Sequence, residues 1–303
     1  MKKLSDLGEN EAIKRLTDYL TGDETVIVGP GDDCAVVRAS PNCKVDILMT
    51  SDPVIEDVHF TKKSPPEGIG HKAIGRALSD IASMGGSPTW ALINTTAPES
   101  TDITHLQTIF KSAAALAMNH GCHIVGGDLA NNTHIEMHVF CAGTVPAGEA
   151  ILRSGAKSGD IIYVTGSLGG SRKWKQYIFT PRLKEGLFLR GWASSMIDIS
   201  DGLGTDIRNI TTASGVGARL RTADIPLSQD ADSLKSAFTD GEDFELLFTI
   251  PPDKKDEFIK KWQAEMETPV SEIGFITDEP QEIDLVLPDG KIRMMDEEGF
   301  QHF

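Results

Sequence analysis

A helical pattern over residues 68–86 constrains this chain more than any other stretch, because it places a carboxylate where a helix usually carries a methyl group. At about 100° per residue, four apolar residues share one side and predict the buried face: Ile69, Ala73, Ala77 and Met84. The polar side is predicted to face solvent: Lys72, Arg76, Ser79 and Ser83. Asp80 lies at the edge of the buried face, and Gly85 and Gly86 are expected to end the helix.

A carboxylate at that edge is costly unless a cation meets it. Arg76, one turn earlier on the helix, is one candidate partner for Asp80. A bound metal ion is the other candidate, and the helix alone does not decide between them.

The charge balance excludes whole classes of partner. The chain has 45 acidic and 29 basic residues and a formal charge of −16. Nucleic acids and anionic membrane surfaces would be repelled, whereas a small anion can bind if cations accompany it. No stretch approaches the roughly 20 apolar residues of a membrane span. The four cysteines show no CxxC spacing, so we expect reduced thiols in a cytoplasmic protein.

The length of 303 residues predicts two domains. Strand and helix patterns alternate in both halves, and the pattern changes near Pro146, so we expect two mixed α/β domains at 1–146 and 147–303. Clear elements include a helix over Ile103–Asn119 and strands over Trp90–Thr96 and Ile161–Thr165. A strand over Val45–Thr50 is expected to end at Ser51 and Asp52.

Carboxylates recur where predicted strands end or in glycine turns. Five aspartates share this setting: Asp33, Asp52, Asp128, Asp198 and Asp201. Asp80 on its helix is a sixth carboxylate of the same kind. Carboxylate and hydroxyl oxygens without clustered cysteine or histidine suit Mg²⁺, which fills its remaining positions with water and phosphate. Metals would let an acidic protein hold a polyanion, which favours phosphoryl or nucleotidyl transfer. Independent turn and capping roles explain any one of these aspartates but poorly explain six.

Seven segments in register carry a resemblance to the thiamine-monophosphate kinases: GDDCAVV, MTSDPVIEDVHF, KAIGRALSDIASMGG, GGD, RSGAKSGD, IDISDGL and GEDFELLFT. This family is a branch of the superfamily that includes aminoimidazole ribonucleotide synthetase, selenophosphate synthetase and the hydrogenase-maturation dehydratase. The likeness covers nearly the whole chain. It implies transfer of the γ-phosphoryl group of ATP to thiamine monophosphate, in a homodimer whose N-terminal domains pair their strands while the C-terminal domain closes over the nucleotide.

The resemblance also implies roles for single residues. Several Mg²⁺ ions would be held by Asp33, Thr50, Ser51, Asp52, Asp80, Asp128, Asp198 and Asp201. The nucleotide contacts would be Gly127, Asp128, Arg153 and Ser200. The contacts to thiamine monophosphate would be His59, Glu242 and Phe300. No general base is expected, because the acceptor is a phosphate oxygen that is already anionic near neutral pH.

Four departures from the family pattern stand out. Leu129 and Ala130 follow GGD in place of two threonines, Asp57 replaces a glycine, and Asp240 replaces the first glycine of GGED. The segment between residues 170 and 196 is shorter than in many relatives, so we expect substrate contacts there to differ from theirs.

Other functions stay open at this point. A selenophosphate synthetase needs a reactive cysteine near its N-terminus, and no cysteine precedes Cys34; the hydrogenase-maturation protein needs a C-terminal cysteine, and this sequence ends in Phe303. A nucleotide- or metal-binding protein without catalytic activity is the alternative from another class.

Overall fold

The computed structural model describes residues 3–297, 299 and 300. It contains two mixed α/β units, each built on one sheet. The fold class predicted from the sequence is confirmed.

The first sheet has six strands in the order β1-β2-β3-β6-β4-β5. Their bounds are β1 Val26–Val28, β2 Ala35–Val37, β3 Val45–Ile55, β4 Ser87–Ala97, β5 His123–Asn131 and β6 Glu136–Pro146. All neighbours pair antiparallel except β4 and β5, which are parallel. The accompanying helices are α1 Glu9–Thr17, α2 Pro66–Ser83 and α3 Ile103–Asn119.

The second sheet has seven strands in the order β13-β12-β9-β11-β7-β10-β8. Their bounds are β7 Ile161–Thr165, β8 Ser195–Asp198, β9 Gly217–Arg221, β10 Leu246–Ile250, β11 Val270–Thr277, β12 Ile283–Val286 and β13 Ile292–Met294. The helices of this unit are α4 Leu183–Leu189, α5 Leu203–Ser214, α6 Leu234–Thr239 and α7 Lys255–Glu265. Within the described ranges, no helix is long and apolar enough to cross a membrane.

The first core lies between the sheet and the pair α2–α3. Alternate residues of β6 point into it, namely Met137, Val139 and Cys141, as the period of two predicts. Asp102 caps α3 by accepting a hydrogen bond from the Thr104 amide at 2.9 Å, which explains where that helix starts. Tyr177 and Leu183 also join this core. The proposed boundary at residue 146 therefore stays a prediction.

Helix α2 corrects the first expectation from the sequence. Three residues predicted to face solvent are buried: Lys72, Ser79 and Ser83. One side of α2 packs on β3 and β6, and another side contacts α4 and β8 of the second unit. The helix therefore lies between the two units, so its polar side meets protein where the pattern predicted water.

Two strand ends were also placed wrongly. Ser51 and Asp52 lie inside β3, whose pairing with β6 continues to Ile55. Asp128 likewise lies inside β5, whose parallel pairing with β4 continues to Asn131. In both cases the length of the neighbouring strand extends the ladder past the polar residues. Asp198, by contrast, does end β8.

Candidate active site

Four carboxylates converge where α2 crosses β3 and β8. Burial raises the pKa of Asp80 well above its ordinary value, and the charges of Asp52, Asp198 and Asp33 raise it further. Burial raises the pKa of Asp198 to about 8, and the charge of Asp33 is its next largest cause. Since each carboxylate disfavours ionisation of its neighbours, this cluster is electrostatically incomplete without added positive charge.

Two hydroxyl groups, one on β3 and one on α2, each donate a hydrogen bond to a carboxylate of the cluster. The Thr50 hydroxyl donates a hydrogen bond to Asp80 Oδ2. The Ser79 hydroxyl, on a helix face expected to be wet, donates to Asp198 Oδ2 at 2.6 Å. This second contact joins the two units directly, since Ser79 lies on α2 and Asp198 ends β8.

Asp33 lies in the turn between β1 and β2, with one oxygen satisfied and one orphaned. Its Oδ1 accepts a hydrogen bond from Arg153 Nε at 3.0 Å. Its Oδ2 is buried and has no hydrogen-bond partner among the described residues. The adjacent Asp32 accepts the backbone amide of Arg153 at 3.1 Å, and burial raises its pKa to about 6. Arg153, predicted as a nucleotide contact, is therefore bound to the carboxylate turn.

Arg76, one of the two candidate partners of Asp80, is bonded to other carboxylates. Its Nη2 donates to Asp52 Oδ1 at 3.1 Å, and its Nη1 lies 3.5 Å from Glu242 Oε1. Arg76 is thus paired with other carboxylates, and it is the Thr50 hydroxyl that donates a hydrogen bond to Asp80.

The N-terminal end of α5 adds two acidic residues, one just before the helix and one in its first turn. Asp201 lies just before Gly202, the N-cap of the helix, and its backbone amide donates to Asp206 Oδ2 at 3.2 Å. Asp206 is buried, and burial followed by the charge of Asp201 raises its pKa well above the ordinary value. The sequence analysis missed Asp206; its place one turn into the helix, on the apolar side with Ile207 and Ile210, was the available signal.

Gly127 and Asp128 lie apart from this cluster within one chain. Asp52 is opposite Val139 on β6, Val139 is opposite Ile93 on β4, and Ile93 is opposite Gly127 on β5. Three strand spacings of about 4.8 Å separate β3 from β5, or roughly 14 Å. Both residues are exposed, so the structure does not bring them to the other predicted ligands.

A cavity of about 520 Å³ adjoins the cluster at Arg76. All three predicted substrate contacts line it, together with two residues from the segment before α5: His59, Glu242, Phe300, Ser200 and Asp201. Aromatic and basic residues that the sequence analysis did not select complete the lining: Phe60, Trp174, Tyr177, Lys63, Arg172 and Lys173. Four of these come from the short segment after Gly170, which therefore contributes a wall of the cavity.

Lys72 organises the wall behind Glu242, and its role was also missed. Its side chain is fully buried. Its Nζ lies 2.6 Å from Glu242 Oε1 and 2.8 Å from Oε2, and it donates to the His59 carbonyl oxygen at 2.6 Å and to Gln176 Oε1 at 2.7 Å. Burial lowers the pKa of Lys72 to about 8, and Glu242 opposes that shift. One ammonium group therefore ties together three segments distant in sequence.

Comparison with known proteins identifies the family. Two family models match: the N-terminal domain of AIR synthase related proteins over residues 31–145, and the C-terminal domain over residues 171–285. Thiamine-monophosphate kinase of Buchnera aphidicola subsp. Schizaphis graminum is 32% identical, covering 93% of this chain and 94% of its own. The enzyme of that name from Salmonella typhimurium is 34% identical, covering 80% of this chain and 83% of its own. This chain belongs to the thiamine-monophosphate kinase family.

A solved structure supports the same family assignment. It is described as AaThiL complexed with AMPPCP and TMP; it is 27% identical, has a TM-score of 0.86 and covers 100% of this chain and 99% of its own. The departures from the family pattern occupy two places here. Leu129 and Ala130 are exposed on β5, and Asp57 lines the cavity with a left-handed φ of 63°, the backbone region that glycine adopts most easily.

The donor set fits the Mg²⁺ expected for this family, although it is not a preformed cage. Within residues 3–297, 299 and 300, no group of three histidine, cysteine or acidic residues is arranged to hold a metal ion. Protein cations and hydroxyls take several carboxylate oxygens. However, the orphaned Asp33 Oδ2 and the mutual repulsion around Asp80 and Asp198 are what a hard cation would relieve. Mg²⁺ also requires few protein ligands when phosphates supply the rest.

Proposed function

We propose that this chain catalyses transfer of the γ-phosphoryl group of ATP to the phosphate of thiamine monophosphate, giving ADP and thiamine diphosphate. One observation carries the proposal: the cavity that collects His59, Glu242 and Phe300 meets the carboxylate cluster at Arg76. An acceptor in the cavity and a metal-bound nucleotide at the cluster would then be adjacent. The relative complexed with AMPPCP and TMP supports the same pair of ligands.

The metal ligands would come from both units of the chain. Asp33, Thr50, Ser51, Asp52 and Asp80 lie on the first unit, and Asp198 and Asp201 lie on the second. Bound Mg²⁺ would cancel the repulsion between the two phosphates. Because the two units meet at these residues, occupation of the cluster would also hold the cavity in place beside it.

The chain's own side chains would do the positioning. Arg153 and Ser200 would contact the nucleotide from either side of the cluster. Around the acceptor, His59 and Phe300 would contact the thiamine half, and the partly exposed aromatic ring of Trp174 adds a surface on which a heteroaromatic cation can stack. No side chain is required to remove a proton from an anionic phosphate oxygen.

A homodimer would complete the site. Large apolar side chains are exposed on the face of the first sheet away from α2 and α3: Met49, Trp90, Leu92, Val125 and Phe140. Such a patch is typical of an interface. β2 pairs with β3 only opposite residues 47–49, so among the described residues the later half of β3 has a free edge, as does β5. Pairing these edges would bring Asp128 of the partner subunit towards Ser51 and Asp52.

The deciding experiment measures thiamine diphosphate formed from ATP and thiamine monophosphate, with and without Mg²⁺. We expect product only with the metal, stoichiometric ADP, and none with free thiamine as acceptor. Asp198→Asn serves as the inactive control. Binding of both ligands without product would instead support the alternative of a binding protein without catalytic activity.

A further inference from the structure

Among the residues that the structure describes, Arg76 is the one basic side chain that reaches both the carboxylate cluster and the cavity. Among the described residues, the lysines and arginines that line the cavity are Lys63, Arg76, Arg172 and Lys173. The other three are exposed, whereas the Arg76 side chain is 15% exposed. It extends from α2, from which its guanidinium reaches Asp52 on one side and Glu242 on the other.

The hydrogen bonds of Arg76 are incomplete. Guanidinium carries five N–H donors in a planar fork. Among the described residues, only Nη2 has an acceptor at ordinary hydrogen-bond length, a single oxygen of Asp52 at 3.1 Å. The Nη1 contact to Glu242 is long at 3.5 Å, and the buried Nε has no hydrogen-bond partner among those residues. Unfilled guanidinium donors at the wall of a cavity are suited to an acceptor that arrives with a ligand, and because Nε is buried, Nη1 is the nitrogen that remains for it.

Glu242 does not need Arg76 for its own neutralisation. Both of its carboxylate oxygens lie within 2.8 Å of Lys72 Nζ. The Lys72–Glu242 pair is therefore complete by itself. Arg76 is bonded to Asp52 through Nη2, and its Nη1 side is left for a ligand in the cavity. An anionic group entering the cavity would meet the Arg76 guanidinium next to the carboxylate cluster.

We propose that Arg76 binds the phosphate group of the acceptor and thereby selects a phosphomonoester over the corresponding alcohol. This inference rests on the proposed function, since it takes the acceptor to be thiamine monophosphate. The planar fork of arginine matches two phosphate oxygens through the Nη1 and Nη2 pair at its end. Each of these nitrogens carries two N–H groups; Nη2 binds a single oxygen of Asp52, and Nη1 has only the long contact to Glu242. Bound in this way, the acceptor phosphate faces the cluster, and its thiazolium faces the aromatic wall at Trp174 and Tyr177.

The test is the preference of the protein for thiamine monophosphate over thiamine, measured as a ratio of dissociation constants by titration calorimetry. Arg76→Met keeps the buried stem and removes the fork. We expect its affinity for thiamine monophosphate to fall roughly 10- to 100-fold while its affinity for thiamine hardly changes, so the ratio falls by the same factor. Arg76→Lys, which keeps the charge without the fork, should show a smaller fall in the ratio.

Arg219→Met is the matched control, because Arg219 forms a similar half-buried pair with Asp284 at 2.8 Å on β9, away from the cavity. It should leave the ratio unchanged. An unchanged ratio in both Arg76 variants, or equal weakening of both ligands, would overturn the proposal. If Arg76→Met does not fold, the ratio in Arg76→Lys decides. If the wild-type protein forms no thiamine diphosphate but Arg76→Met still loses the preference, the proposed function fails and the phosphate contact stands.

Discussion

The carboxylate cluster and the adjoining cavity treat charge in opposite ways. In the cluster, aspartates lie close enough to raise one another's pKa, and Asp33 Oδ2 has no hydrogen-bond partner in the part of the chain that the structure describes. In the wall of the cavity, Glu242 is paired with Lys72 through both oxygens. The cluster therefore lacks enough positive charge of its own, whereas the acidic residue of the wall is neutralised within the protein. Removing a charge should thus have opposite effects on stability in the two regions.

The largest effect is expected at the cluster, from Asp80→Asn. We expect turnover to fall by on the order of 10²–10³-fold, because one of the carboxylates proposed to bind Mg²⁺ is lost. Thermal stability without metal should hold or rise, since a buried charge surrounded by like charges is removed. Steady-state kinetics and a thermal melt in chelator check both statements. A lower melting temperature with normal activity would make Asp80 a structural residue only.

At the wall, Lys72→Met should have the opposite signature. The substitution leaves Glu242 half-buried with only the long contact to Arg76, and breaking a buried pair typically costs about 3–5 kcal/mol. We expect that loss in the free energy of unfolding measured with urea. Adding Glu242→Gln should restore part of it. A double variant as unstable as the sum of the two single variants would show that Lys72 and Glu242 are not coupled.

The pH dependence of stability tests the repulsion between carboxylates in the cluster. Asp198 has a folded pKa of about 8 against an ordinary 3.8, and Asp32 one of about 6. A raised carboxyl pKa contributes stability that is complete below pH 3.8 and is lost as the pH rises through the folded value.

Without metal, the free energy of unfolding should therefore fall by a few kcal/mol between about pH 4 and pH 8. Mg²⁺ should flatten the curve at its alkaline end. Denaturant melts at fixed ionic strength measure this, and Asp198→Asn should flatten the curve without metal. A wild-type curve that stays level in chelator would contradict the repulsion inferred for the cluster.

The sequence predicted elements well where local pattern decides them, and less well where distant packing does. The bounds of Ile103–Asn119 and Ile161–Thr165 were predicted correctly, because a cap and a continuous apolar run mark them. The prediction that the polar side of α2 faces solvent was wrong, because the second unit covers that side. Lys72 could not be selected as a site residue, since Glu242, its partner, lies 170 positions away.

The candidate site shows the same division. Motifs in register selected His59, Glu242 and Phe300, and the structure brings all three to one cavity. The same motifs selected Asp128, which one chain does not bring to the cluster. Motifs report residue types at each position, but the second copy that would carry Asp128 to Asp52 leaves no periodic signal in the sequence.

The smallest effect is expected from Glu242→Gln, which tests whether the wall of the cavity also recognises the substrate. If Glu242 contacts the thiamine half, affinity for thiamine monophosphate should fall by about 1–3 kcal/mol. ATP binding with Mg²⁺, measured by calorimetry, should barely change.

Because the substitution also leaves Lys72 without a counter-charge, the matched background is Lys72→Met, in which that cation is already absent. A selective loss of acceptor affinity in both backgrounds indicates direct recognition. Equal weakening of both ligands would place Glu242 with the metal–nucleotide cluster, and a loss confined to the background that keeps Lys72 would mean that Glu242 acts only by holding that lysine in place.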